Sequence, residues 1–246
     1  MSIERSPAAG GLGTEPAPAR TPSETGEEGT PLAIQIQVLS SEHWSLLASR
    51  NLAWNESFSR AGMFLSSLSG AIVALALVAQ ASEFGEGFRL FALVILPVVL
   101  FIGLTTLFRL GIANYHDALT VIGMNRIRAA YFERVPEVRR YFVMPATDDE
   151  AAVWRAMGMD PAFPMPVTLL ASAPTLIGVI NAVIAASIVA IATLQLGGDT
   201  TIAFGVAATA FVAVFALQGW YGAREATRPR PDFAPEFPPE PDSSTD

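Results

Sequence analysis

The sequence predicts an all-α membrane protein, with four transmembrane helices arranged as two hairpins, amphipathic cytosolic helices and disordered tails. Three observations carry this expectation. Residues 61–81 and 90–108 are apolar runs without a charged side chain, each close to the ~20 residues that cross a ~30 Å hydrocarbon core. Two further uncharged runs, 167–196 and 202–221, follow a polar middle segment. The composition agrees: 51% hydrophobic and only 15% charged residues, with a mean hydropathy of +0.41, leave too little polar surface for a soluble domain.

The chain divides into six segments. Residues 1–31 are rich in Pro, Gly, Ala, Ser, Thr and Glu, with no apolar run and no basic-then-apolar pattern, so they read as a disordered acidic tail and not as a signal peptide. Residues 32–60 read as a cytosolic amphipathic helix. Leu39, Leu46 and Ala53 recur by seven, as do Leu47 and Trp54, with Glu42, Ser49 and Glu56 on the opposite face. Ser40 or Ser41 is the expected cap, with Glu42 in the first turn, and the helix runs on into the first span. Its mixed charge favours packing on other cytosolic helices over lying on a membrane surface.

Residues 61–112 form the first transmembrane hairpin, turning at Ser82-Glu83-Phe84-Gly85-Glu86-Gly87. Pro97 is expected to bend its second helix and free a carbonyl. In the cytosolic segment 113–165 the second span continues as a helix to Arg134, until Pro136 stops it. Thr147-Asp148-Asp149-Glu150 fits a capping box for a short helix that Gly158 ends, and 159–166, with three prolines, is a loop. Residues 166–222 form the second hairpin, joined by Gly197-Gly198-Asp199-Thr200-Thr201, where the glycines end one helix and Asp199 or Thr200 caps the next. Its first run would be about 45 Å long if wholly helical, with a bend at Pro174. Residues 223–246 are a Pro-rich acidic tail, and Pro235-Glu236-Phe237-Pro238-Pro239 within it fits a PxxP ligand in form but reads as a solvating polyproline stretch.

The formal charge of −8 is concentrated at the ends, where residues 1–31 and 226–246 each hold five acids against two arginines. No basic field remains for nucleic acid. All 15 basic residues are Arg, a usage that suggests a GC-rich bacterial genome. Twelve of them flank the membrane runs on one side, and only Arg89 lies near the two turns. The positive-inside rule therefore places both termini and the central segment in the cytoplasm of a bacterial cell, with the multi-pass chain in its cytoplasmic membrane.

Several chemistries are excluded or disfavoured. Cysteine is absent, which removes disulfides, thiolate metal sites and cysteine nucleophiles. The two histidines, His43 and His116, have no metal-ligand spacing, and no phosphate loop, nucleophile elbow or dinucleotide fingerprint occurs, so neither metal nor cofactor is expected. No Asp, Glu, Lys or His lies within the apolar runs, which disfavours proton- or cation-coupled transport. Asn181 is the one strongly polar side chain at mid-span. It is expected to make an interhelical hydrogen bond, or, in a sharper reading, a pore or substrate contact.

Two stripes of small residues, Ser66, Gly70 and Ala74 in the first span and Gly178, Ala182 and Ala186 in the third, are spaced to let helices approach closely, within a protomer or across an oligomer. At the inner mouth of the first hairpin, counting outward from its turn puts Arg60 and Arg109 at one level. Glu56, one turn from Arg60, is expected to neutralise either or both, with His116 nearby.

The runs His43-Trp44-Ser45-Leu46-Leu47-Ala48-Ser49-Arg50, Trp54-Asn55-Glu56-Ser57-Phe58-Ser59-Arg60-Ala61-Gly62-Met63-Phe64-Leu65 and Gly123-Met124-Asn125-Arg126-Ile127-Arg128 carry a resemblance. Over about residues 39–157 the chain resembles an uncharacterised, actinobacterial-type family of multi-span integral membrane proteins of unknown function, which implies no catalytic residue. A looser likeness of plan is to two-span bacterial effectors that perforate membranes, from which four spans depart. The expected function is a non-enzymatic structural, scaffolding or signalling component of the membrane, homo-oligomeric and with a cytosolic protein partner. The alternative is an oligomeric channel or pore-forming effector. Third comes a membrane-embedded enzyme, which would need Glu56, Arg109 and His116 to form a site.

Overall fold

The computed structural model describes residues 30–159, 164–226, 228 and 234–238. The expected disorder of residues 1–29 and residues 160–163 of the loop before the second membrane half lie outside the described residues. Among the described residues every regular element is helical. α1 (Leu32–Ser82) and α2 (Glu86–Arg134) are unbroken helices of 51 and 49 residues, roughly 75 Å each at ~1.5 Å per residue. A short 3-10 segment (Pro136–Tyr141) and α3 (Glu150–Ala156) follow, then α4 (Met165–Leu170), α5 (Ala173–Gln195) and α6 (Thr200–Ala226). α1, α2, α5 and α6 are each long and apolar enough to cross a membrane.

α1 and α2 pack along their length in antiparallel register, because one seam on each alternates by three and four. On α1 the buried Ser57, Phe64 and Ala71 recur by seven, with Ala61, Leu68 and Leu75 packed between them; α2 answers with Ala92, Leu96, Val99, Gly103, Thr106 and Leu110. That spacing holds two helices face to face over many turns. α2 then carries α5 on another side through Ile177 and Ile184, and α5 carries α6. Three helices meet at Gly103. A Cβ there would run into Asn181 Oδ1 on α5 and come within 2.8 Å of the Phe64 ring on α1.

The outward surface of the apolar halves is uncovered: Ile72, Val73 and Leu77 on α1, Val94 and Phe101 on α2, and Phe204 and Val212 on α6 are all exposed. A contiguous apolar surface of this kind belongs in lipid. Beyond the apolar halves, the charged halves of α1 and α2 continue together. α3 docks on α2 there, with Val153 buried against Ala118, Val121 and Ile122.

The structure corrects four local expectations. α1 starts at Leu32, with Pro31 as its cap residue and no side-chain cap, eight or nine residues before Ser40 and Ser41. Its extra turns are held by tertiary contact, since Gln35 accepts from Arg134 Nε on α2 at 2.6 Å. The third apolar run is broken at residues 171–172, so Pro174 sits in the first turn of α5 and starts a helix instead of bending one. Ser172 caps that start by accepting from the Thr175 N–H. Asp149, not Thr147, caps α3, because the Thr147 carbonyl is taken by Asn125 Nδ2 and Asp148 turns inward. Finally, Ser66 and Gly70 are exposed, with nothing within 4 Å of a Cβ at Gly70, while Ala74 is partly covered, so among the described residues the first two members of the α1 stripe meet no helix, and contact across an oligomer is the part of that expectation still open to them. Gly178 and Ala182 are buried, Gly178 against Gln218 of α6, with Ala186 partly covered, as the α5 stripe requires.

Other signals read directly. The turn falls at residues 83–85, α2 ends just before Pro136, Gly158 adopts φ +87° beyond α3, and the Asp199 carboxylate accepts from the Ile202 N–H at the start of α6.

Gly103→Ala is expected to lower stability by about 1–3 kcal/mol, as an inserted methyl overpacks a fixed junction, whereas Gly70→Ala should change it by under about 0.5 kcal/mol. Thermal unfolding in detergent measures both. Asn181→Ala should restore part of the Gly103→Ala loss, and an unimproved double variant would place the clash elsewhere.

Candidate functional site

The polar chemistry of the described residues is gathered on the charged halves of α1 and α2, in three clusters. The outermost from the turn, going toward the helix ends, combine buried acids with arginines; the innermost is exposed.

The innermost is the predicted one. Glu56 Oε1 accepts from Arg60 Nε at 3.0 Å and from Arg109 Nη2 at 2.9 Å, so one oxygen serves both arginines. All three side chains are two-fifths exposed or more. The hydrogen bond from Arg60, then that from Arg109, holds the Glu56 carboxyl below the ordinary glutamate range. His116 does not join them. It lies with Arg50, Asp117 and Thr120 along an open recess of about 370 Å3 further from the turn, about two helical turns beyond Arg109 along α2.

The second cluster was not anticipated. Asp117 is 3% exposed, and its carboxylate takes both a fork from Arg50, with Nε at 2.6 Å and Nη2 at 3.1 Å, and the Trp54 indole N–H at 3.2 Å. A buried carboxylate demands such partners. One helical turn separates Arg50 from Trp54, so α1 grips a single α2 side chain with two residues of one face. The sequence signal was available, since Arg50 and Trp54 lie on the seven-residue seam that also holds Leu47.

The third cluster joins α2, the segment before α3 and residues 234–238. Asp148 has no exposed side-chain surface. Its Oδ1 accepts from the Phe237 N–H at 2.8 Å, and its Oδ2 from the Glu236 N–H at 2.9 Å and Arg126 Nε at 2.8 Å. Arg126 also donates from Nη2 to the Ala234 carbonyl and pairs through Nη1 with Glu236. Burial alone would raise the Asp148 pKa, but the N–H groups of Glu236 and Phe237 and the Arg126 guanidinium outweigh it and hold the carboxyl below the ordinary aspartate range. Residues 234–238 are therefore bound to the protein surface, in place of the solvating stretch that their composition suggests.

Asn181 departs from expectation. It is fully buried, with its Oδ1 against Gly103, and among the described residues neither amide atom has a hydrogen-bond partner. The expected interhelical hydrogen bond is thus absent among the described residues. Among the described residues no three His, Cys, Asp or Glu side chains gather as metal ligands.

Asp117→Asn is expected to cost about 3 kcal/mol, the scale for breaking a buried ion pair. Glu56→Gln should cost little, and its double-mutant cycles with Arg60→Gln and Arg109→Gln should show small couplings that salt screens. Equal losses in thermal unfolding for Asp117→Asn and Glu56→Gln would contradict this ranking. The depressed Asp148 pKa gives a pH dependence whose sign is fixed. Such a group contributes stability that is complete above its unfolded value and lost as pH falls through the folded one. Residues 234–238 should stay docked at neutral pH and be released only below the ordinary aspartate value of 3.8. Protease access to this segment across a pH series measures it, and release above about pH 5 would count against the assignment.

Comparison with protein-family models, with curated proteins and with solved structures gives no match to this chain, so its function is argued from the geometry above.

Proposed function

We propose that the chain is a multi-pass protein of the bacterial cytoplasmic membrane, built as two transmembrane hairpins with both termini inside. We propose further that it acts as a non-enzymatic scaffold or signalling component. The apolar parts of α1, α2, α5 and α6 lie in lipid. The charged halves of α1 and α2, about 25 residues each, then project roughly 40 Å into the cytosol as a stalk, stiffened by the Arg50–Asp117 pair and carrying α3.

The observation that supports this reading best is the full engagement of both buried carboxylates, Asp117 and Asp148, by arginines and N–H donors of the chain itself. A general acid or base keeps a hydrogen-bonding position toward substrate, and here those positions go to holding helices and segments together. Glu56, Arg109 and His116, which an enzyme would need as one site, are divided between two clusters. A rigid stalk with exposed Trp44, Leu52 and Phe58 suits contact with a cytosolic protein or a second copy of the chain. A channel is the rival function, and Asn181, fully buried within the helices, gives it little support in a single protomer.

A cysteine placed at Thr200 in this cysteine-free chain should react with an impermeant maleimide from outside the cell, and a reporter fused after Asp246 should be active in the cytosol. The reverse labelling would overturn the topology. Purified protein in planar bilayers should give no unitary conductance, and discrete ion-selective steps would replace the scaffold with the channel.

A further inference from the structure

We propose that Asp148 and Arg126 form a peptide-binding site for a bent, acidic, proline-flanked segment, and that residues 234–238 of the chain fill it in cis as a releasable latch. This holds whether the protein scaffolds, conducts or catalyses, because it rests on the third cluster alone.

The site is built before the segment arrives. The stretch that carries Asp148 is tied to α2 at three other points: Asn125 Nδ2 donates to the Thr147 carbonyl at 2.8 Å, Arg128 Nη1 to the Pro145 carbonyl at 3.3 Å, and Arg126 Nε to Asp148 itself. None of these bonds uses residues 234–238. What the site then offers is specific to a backbone. The two carboxylate oxygens take the N–H groups of two consecutive residues, Glu236 and Phe237, and the Asp148 N–H returns a bond to the Phe237 carbonyl at 3.3 Å. The Arg126 fork reads the Ala234 carbonyl and the Glu236 carboxylate.

The ligand sequence matches these demands. Pro235 and Pro238 stand on either side of the two residues whose N–H groups are needed. Proline has no N–H to offer but fixes its own φ in advance, which lowers the ordering cost of binding on both sides of the bend at Glu236 and Phe237. The acid at Glu236 meets Arg126. A ligand for this site is thus Pro-Glu-x-Pro or a close analogue, with x any residue other than proline.

A short tether, residues 227–233 beyond α6, keeps the segment at an effective concentration of mM order. Free peptide of the same sequence should compete only when it exceeds that level. The test uses uniformly 15N-labelled full-length protein in detergent and hydrogen exchange at the Glu236 and Phe237 amides. Both amides should be protected, and an unlabelled peptide spanning residues 233–242, at about tenfold excess over the effective concentration, should cut the docked population to about a tenth and bring exchange at both amides close to the unprotected rate. The same peptide N-methylated at Glu236 and Phe237 should leave it unchanged. Asp148→Asn should abolish protection, and if that variant fails to fold the two peptide arms still decide. Absence of protection, protection that the native peptide does not reduce, or equal displacement by the methylated peptide would each overturn the proposal.

Discussion

A helix of 49 residues is too long for one solvent, and α2 is the element on which the other helices depend. Its first half must satisfy packing without water, and its second half must satisfy charge. In the first half helices gain nothing hydrophobic by leaving lipid for one another, so association rests on close van der Waals contact. Gly103 supplies the closest contact: without a Cβ it admits both the Phe64 ring and Asn181. One position thereby sets the spacing of α1, α2 and α5. The orphaned Asn181 amide is a cost in this place, since an unpaired buried polar group loses water without replacement.

In the second half the constraint changes from shape to charge. Asp117 lies on the seam where, further along, Gly103 and Leu110 lie, so the register that buries Leu110 also buries a carboxylate. Only a guanidinium directly opposite makes that tolerable, and Arg50 occupies the matching seam position on α1. A slip by one residue would leave Asp117 buried and unpaired, which costs far more than the intact pair contributes. The pair acts chiefly as a register lock for two helices whose apolar contacts alone would allow sliding.

How much of this was legible in the sequence follows from the range of each interaction. Turn and cap signals such as Pro136, Gly158 and Asp199 act over a few residues and could be read off directly. The Glu56 contacts were reachable because one is four residues away and the other follows from counting across a short turn. The same count pairs Arg50 with Asp117, because the seven-residue recurrence runs through charged positions as well as apolar ones. The α1 start departs from the local capping signal because its first turns are held by a tertiary partner, Arg134, and the break before α5 follows from the Ser172 hydroxyl capping a helix that Pro174 can begin. Nothing local marks Asp148 as the partner of residues 88 and 89 positions later. Proline and acid content is the same for a tail in water and a tail on a surface.

Asp117 and Asp148 solve one electrostatic problem with opposite reversibility. Both are buried, and both are neutralised by an arginine of the charged stalk. The partners of Asp117 sit on α1, and removing them means separating two helices that are packed over many turns. Most donors to Asp148 sit on a chain end instead. If residues 234–238 leave, Asp148 keeps Arg126 at 2.8 Å, and water replaces the two lost N–H groups at a surface now open to it. An ion pair that passes from buried to exposed loses Coulomb energy but recovers solvation, so the undocked state is not strained. Contacts of this sort can open without unfolding the body that carries them, and the charged half of α2 therefore combines one permanent clasp with one removable one.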